Sequence, residues 1–225
     1  ARSLFSYPFR AVGTLTRLLD RSDLAMTRWD ALTQRRRVVA VAAGDAHARL
    51  GLRQEGDPVQ GRVAVAVPGY ESMFRSFSIA VDGVRLTGRA ADDARAIVEA
   101  IRRGHVYSLI DGIARPGTLR FTAVSGAHSA SAGDMLPVDG PIRLRVATHA
   151  PANARIVLLK NGATIAEGSG SVLEHTEDGG RAVFRAEVYV PGWPGQPPVP
   201  WIVSNPIYAG WTETTAVAPP RAAPA

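Results

Sequence analysis

The sequence predicts an α/β unit followed by an all-β unit of immunoglobulin-like size. Three observations carry that expectation. A continuous apolar run, Val38 to Ala43, stops abruptly at Gly44; a strongly periodic helix over Ala91 to Arg103 leads straight into a short strand; and from Pro116 onward every segment is short, β-rich and bounded by turn residues. The chain has 225 residues, 46% of them apolar and 7% aromatic, enough for one large core or two ordinary ones, which excludes simple disorder. It contains no cysteine. Disulfide frameworks, Cys-ligated zinc, iron–sulfur clusters and thiol nucleophiles are excluded, and a transition metal would have to be held by His and carboxylates.

Residues 1–21 mix apolar and basic side chains, with Leu15, Leu18 and Leu19 at helical spacing, and read as a helix or loop docked on something upstream. Thr27 followed by Asp30 resembles a capping box, and Trp29, Leu32 and the closing run Arg35-Arg36-Arg37 predict a short helix from about Met26 to Arg36, with cations at its C-terminal dipole. The run Val38 to Ala43 lacks alternation, as expected of a strand covered on both faces in a parallel sheet. Val63 to Val67 predicts a second such strand, then the loop Pro68-Gly69-Tyr70 and an irregular aromatic segment with Met73, Phe74, Phe77 and Ile79. Over Ala91 to Arg103 the apolar positions Ala94, Ile97, Val98 and Ile101 fall on one face. Asp92 and Asp93 open this helix, Arg102 and Arg103 close it, and Gly104 stops it. His105 to Ile110 then reads as a strand entering an Asp111-Gly112 turn.

Beyond Pro116, strands are legible at Thr118 to Val124, Ile142 to Thr148, Ile156 to Lys160, Thr164 to Glu167, Arg181 to Val190 and Trp201 to Ser204, six or seven in all, as in a β-sandwich. Asn161-Gly162 between two of them is a strong hairpin signal, because both positions accept positive φ. In the long strand Ala182, Phe184, Ala186, Val188 and Val190 alternate with Arg181, Arg185, Glu187 and Tyr189, which predicts one buried and one largely wet face. The tail after Trp211, rich in Ala, Pro and Thr, is expected to be disordered. The predicted organisation is thus 1–115 α/β, 116–211 β-sandwich and 212–225 tail, without internal repeats.

The net charge of +6 lies entirely in the first part: 18 basic and 12 acidic residues up to Arg115, and eight of each beyond it. Lys160 is the only lysine, a bias that points to genome composition rather than to guanidinium chemistry. Because no aromatic residues are interleaved with the densest basic run, no specific nucleic-acid surface is expected, while anionic small substrates suit the basic half. No apolar run approaches the roughly 18 to 20 residues that span a bilayer. The absence of Cys fits either side of a bacterial membrane, so cytoplasmic and periplasmic locations both stay open.

Chemistry concentrates in one place. Asp45 and His47 lie two apart after an apolar run, a spacing that points both side chains the same way on an extended backbone, and a carboxylate with an imidazole can ligate Zn, Mn or Fe. Asp capping a turn beside a surface His is the alternative that spacing alone leaves open. The wider context, Trp29-Asp30-Ala31-Leu32, Arg37-Val38-Val39-Ala40 and Gly44-Asp45-Ala46-His47-Ala48, resembles the closing metal motif of the PHP (polymerase and histidinol phosphatase) superfamily of metallohydrolases. Ile101 to Ser108 is similar to the last helix and strand of such domains. The resemblance covers about residues 20–115. It implies the C-terminal portion of a distorted (β/α)7 barrel, Asp45 and His47 as metal ligands and catalytic residues, up to three divalent metals in the complete site, and a phosphoester or ester small-molecule substrate.

The family's opening His-x-His pair and middle ligands should precede this motif, yet no histidine precedes His47. Together with the initial Ala1, this leads to the expectation that the natural protein extends upstream and supplies the missing barrel segment. Arg49, two residues beyond His47, is a candidate to hold a substrate phosphate bidentately. His105 reads as a packed or hydrogen-bonding histidine, His128, His149 and His175 as surface-loop residues, and Asp111 as a turn residue. Trp193, Trp201 and Tyr208 read as aromatic closure of the sandwich, with a sugar-stacking or peptide-binding surface as the other reading. The expected function is a metal-dependent hydrolase, foremost a phosphoesterase using metal-activated water. The alternative is a non-catalytic binding or structural module whose β-sandwich engages a partner or glycan.

Overall fold

A computed structural model describes residues 10–17, 19–43, 70–191 and 198–212. Its first part holds α1 (Ala11–Thr16), α2 (Asp23–Thr33), α3 (Tyr70–Phe74), β1 (Ser78–Val81), α4 (Ala90–Arg103) and β2 (Val106–Leu109). The predicted helix and strand at α4 and β2 are both present. Asp93 in the first turn of α4 accepts from the Thr87 N–H and hydroxyl, each at 2.8 Å, and from the Gly88 N–H at 3.0 Å. The Thr87 bonds hold its carboxyl below the ordinary carboxylate range. Gly104 ends the helix at φ 75°, in the left-handed conformation that costs glycine least.

Ten strands follow Pro116 among the described residues: β3 (Thr118–Ser125), β4 (His128–Ser131), β5 (Met135–Leu136), β6 (Ile142–His149), β7 (Arg155–Lys160), β8 (Ala163–Ser169), β9 (Val172–Glu177), β10 (Ala182–Tyr189), β11 (Pro200–Ser204) and β12 (Ile207–Ala209). Strict alternation along β3 and β6 turns Leu119, Phe121, Leu144 and Val146 inward and Arg120, Arg143 and Arg145 outward. The predicted hairpin forms between β7 and β8, with Asn161 at φ 54° and Gly162 at φ 87°.

The strands make two sheets. Four antiparallel strands run in the order β4-β3-β6-β9. In the other sheet β10 is central: β7, itself paired with β8, lies along one edge, and β11 and β12 share the opposite edge. β11 then pairs β2 and β2 pairs β1, while β5 joins β12 in parallel. The inward rows of both sheets meet in one core of Phe121, Leu144, Ile156, Leu158, Phe184, Val188 and Trp201, which also takes in Leu109 of β2. One sheet is therefore built from residues on both sides of Arg115.

Four expectations are corrected. The second helix spans Asp23–Thr33 rather than Met26 to Arg36, because Ser22, not Thr27, caps it, accepting from the Ala25 N–H at 3.4 Å. Arg35 to Arg37 consequently lie past the C-cap Gln34, beyond the dipole they were expected to complement. Val38 to Ala43 is no strand of either sheet, since its main-chain partners are side chains. The outer face of β10 is dry rather than wet: Arg185 and Glu187 are 2% and 1% exposed beneath α2 and its approach. The count of six or seven strands falls short because β4, β5, β9 and β12 are too short or too polar to announce themselves.

Gly104 and Gly133 lie back to back, and this contact makes a prediction. Gly133 has φ 94°, and an added Cβ would strike the Arg103 carbonyl oxygen and come within 2.6 Å of the Gly104 carbonyl carbon. Gly133→Ala is expected to destabilise by about 2–4 kcal/mol in urea unfolding, combining backbone strain with a backbone clash. Gly83→Ala, also at positive φ but in open space, isolates the strain alone and should lose only about 1 kcal/mol.

Candidate functional site

Asp45, His47 and Arg49 lie outside the described residues, as do the predicted strand Val63 to Val67, Trp193 and the tail from Glu213. What the structure does describe is the segment that leads to the triplet. Val38 to Ala42 crosses the eight-stranded sheet, held at every second residue by a side chain that replaces a ladder partner. The Val38 N–H donates to the Tyr208 hydroxyl at 2.9 Å, and that hydroxyl donates back to the Val38 carbonyl at 3.1 Å. Asn205 grips Ala40 in the same two-point way, accepting from its N–H at 2.8 Å and donating to its carbonyl at 3.0 Å. The Ala42 N–H donates to the Ser108 hydroxyl at 3.2 Å.

The anchors are themselves fixed. Asn205, in the β11–β12 turn, is buried and its amide also donates to the Val106 carbonyl at 2.9 Å. Tyr208 on β12 is buried against Trp211, and burial pushes its phenol up, against the opposing effects of the Val38 bond and the Arg37 charge. Upstream, the Arg37 guanidinium donates to the carbonyls of Arg103 and Gly133, the latter at 2.6 Å. Gln34 donates to the Asn161 carbonyl in the β7–β8 turn at 3.3 Å. The segment thus reads the sheet through polar contacts, and its own side chains contribute little burial: Val41 is 48% exposed.

α2 is seated by charge. Its Asp30 takes two guanidinium nitrogens of Arg185, with Arg185 Nη2 at 3.0 Å from both carboxylate oxygens, while the same guanidinium lies 4.8 Å from the Trp29 ring centre and also pairs with Glu187. Arg21 reaches Glu187 at 3.4 Å. Burial opposes ionisation of Glu187, but Arg185, the Tyr189 hydroxyl and Arg21 more than offset it and hold its pKa below the ordinary value. Burial, reinforced by the Glu187 carboxylate, pushes the Tyr189 phenol up to about 12.

The remaining candidates separate. His105 hydrogen-bonds through Nε2 to Asp134 Oδ1 at 2.7 Å, as a packed histidine does. His175 lies on β9 rather than in a loop, and its Nε2 meets Glu177 Oε1 at 2.8 Å; Lys160 joins the same carboxylate at 2.6 Å. His128 and His149 are exposed on β4 and at the end of β6. Asp111 pairs with Arg115 at 3.1 Å in the turn after β2. Trp201 is fully buried and donates to the Ala114 carbonyl at 3.0 Å. With Tyr208 buried as well, neither ring offers a sugar-stacking surface.

Among the described residues no three His, Asp or Glu side chains converge on a point, and no helix is long and apolar enough to cross a membrane. The outward face of the four-stranded sheet carries a groove of about 480 Å³ lined by Thr122, Val124, Arg143, Arg145, Glu174 and Thr176. Sequence reasoning missed both Asn205 and this groove. The first has no local signal, because its partner lies 165 residues away. The second joins outward positions of β3 and β6, which alternation reveals, to Glu174 and Thr176 of β9, whose polar sequence hides the strand. No protein-family model, curated protein or solved structure matches this chain.

Proposed function

We propose that this chain carries the closing metal motif of a PHP-type metal-dependent hydrolase, with phosphoesters as the substrate class, and that its finer architecture is the end of a (β/α)7 barrel joined to an immunoglobulin-like sandwich. One observation carries the reading. The Asp45-Ala46-His47 triplet follows directly on a segment whose main chain is pinned at residues 38, 40 and 42, the last of them three residues before Asp45. A metal ligand needs a well-held backbone, and alternate-residue pinning by Tyr208, Asn205 and Ser108 fixes the segment that leads to the triplet. In chain order α4, its glycine stop and β2 stand where the resemblance puts a last helix and strand, while β2 pairs antiparallel with both β1 and β11.

Asp45 and His47 have the donor chemistry for Zn, Mn or Fe, and tight sites use three or four ligands. The other ligands would come from outside the described residues. The bound metals would supply Lewis acidity that activates water and neutralises charge on a phosphate oxygen. Arg49 would hold a second phosphate oxygen through its planar fork. The basic groove on the four-stranded sheet favours a binding role for the β part beside this chemistry.

The test is the metal content of the natural full-length protein by elemental mass spectrometry, beside an Asp45→Ala/His47→Ala double variant. About two to three metals per chain in the parent, at most a residue of that in the variant, and a melting temperature within a few degrees are expected. Equal metal in both proteins, or none in either while both are folded, overturns the proposal.

A further inference from the structure

The outward face of the four-stranded sheet gathers arginines that the rest of the fold does not neutralise. On neighbouring strands the register sets Val124 beside Arg143 beside Thr176, and Thr122 beside Arg145 beside Glu174. Arg120 stands two residues along β3 from Thr122, diagonal to Arg145. Arg145 pairs with Glu174 at 3.0 Å, whereas Arg120 and Arg143 have no acidic partner among the described residues. Arg143 and Arg145 are about 7 Å apart along one strand face. Like charges so placed repel, and a sheet optimised for stability alone would alternate their signs.

We infer that this groove is a binding site for a carboxylated polysaccharide, a chain of uronate sugars. Each part of the face matches part of that ligand. Guanidinium forks pair with carboxylates bidentately. The Thr122 and Thr176 hydroxyls on the floor and the free lone pairs of Glu174 suit sugar hydroxyls, which both donate and accept. A volume of about 480 Å³ lies in the range of small-ligand sites and accommodates a short stretch of sugar units. The face carries no Phe, Tyr or Trp on β3, β6 or β9 in an outward position, so it lacks the stacking platform of a single-strand nucleic-acid site. Its outward apolar residues are small and scattered, which does not suit insertion into a bilayer. This site is independent of the metal motif.

The experiment measures binding of alginate by isothermal titration in low salt, with dextran and a 20-nucleotide single-stranded DNA as comparisons, for the full chain, an Arg120→Gln/Arg143→Gln variant and Arg120→Gln alone. Both arginines are exposed and the Arg145–Glu174 pair is left intact, so folding should be unaffected. Alginate should bind and dextran should not; the double variant should bind roughly tenfold more weakly, about 1.4 kcal/mol, and the single variant about threefold. Added sodium chloride should weaken binding in the parent more than in the double variant. The Asp45→Ala/His47→Ala protein should bind alginate as the parent does, which separates this site from the hydrolase reading. Absence of alginate binding, equal binding of dextran, or parental affinity in the double variant would overturn the inference. Tighter binding of the DNA through the same arginines would overturn it too, making the face a nucleic-acid surface.

Discussion

Arg185→Met should cost the fold about 3–5 kcal/mol in urea unfolding at neutral pH, the range for removing one partner of a buried ion pair. Arg185 is 2% exposed and is the cation that both Asp30 of α2 and Glu187 of β10 face. Without it two carboxylates remain in a nearly water-free layer, with only the Tyr189 hydroxyl and Arg21 to offset the burial of Glu187. The sign of the pH dependence is the sharper test. In the parent the Glu187 pKa lies below its unfolded value, so its contribution to stability is full above about pH 4.5 and is lost as pH falls through the lower folded value. In the variant burial, the largest single influence, is opposed only by the Tyr189 hydroxyl and Arg21 and should raise that pKa above the unfolded value. Its contribution is then present at low pH and lost as pH rises, so the variant should be relatively more stable near pH 4.5 than at pH 7. A parental pH profile in Arg185→Met would mean that the guanidinium is not what keeps Glu187 ionised. Tyr189 does not confuse this window, because a phenol raised to about 12 contributes fully below pH 10.

Asn205→Ala should lose about 2–4 kcal/mol, measured in the same way. The amide makes three bonds, two to Ala40 and one to Val106, all to main-chain groups. Its removal leaves the buried Val106 carbonyl and both the N–H and the carbonyl of half-buried Ala40 without this partner. Asn205→Asp discriminates further. An aspartate keeps the acceptor for the Ala40 N–H but turns an oxygen toward the Ala40 and Val106 carbonyls, so it should be no better than Ala at pH 7 and should recover on acidification. Wild-type stability in Asn205→Ala would show that the segment over the sheet is held by other contacts.

Much of the fold was legible where local chemistry decides it. α4 carries its own start and stop signals, Asn161-Gly162 dictates a hairpin, and the alternation of β3 and β6 sorts inside from outside without help. The failures share a cause. Val38 to Ala43 has the composition of a buried strand, but the groups that satisfy its backbone are side chains at 108, 205 and 208, which no periodicity reveals. Arg185 and Glu187 look wet by alternation and are dry because Asp30, 155 residues earlier, supplies the counter-charge. β9 was missed because only Leu173, His175 and Glu177 face inward, a pattern with almost no apolar signal. The triplet Asp45-Ala46-His47 lies outside the described residues, and the pinning that precedes it left no mark in the sequence.

The pinned segment also has a consequence in time. Two of its three anchors come late: Asn205 and Tyr208 follow the alanine and valine they hold by 165 and 170 residues. Nucleating such a contact means closing a very long loop, which is slow unless the intervening chain has already folded and brought its ends together. Assembly of the two sheets is therefore expected to precede docking of residues 37–43. The Val38 and Ala40 amides should accordingly gain protection from exchange only after both sheets have formed.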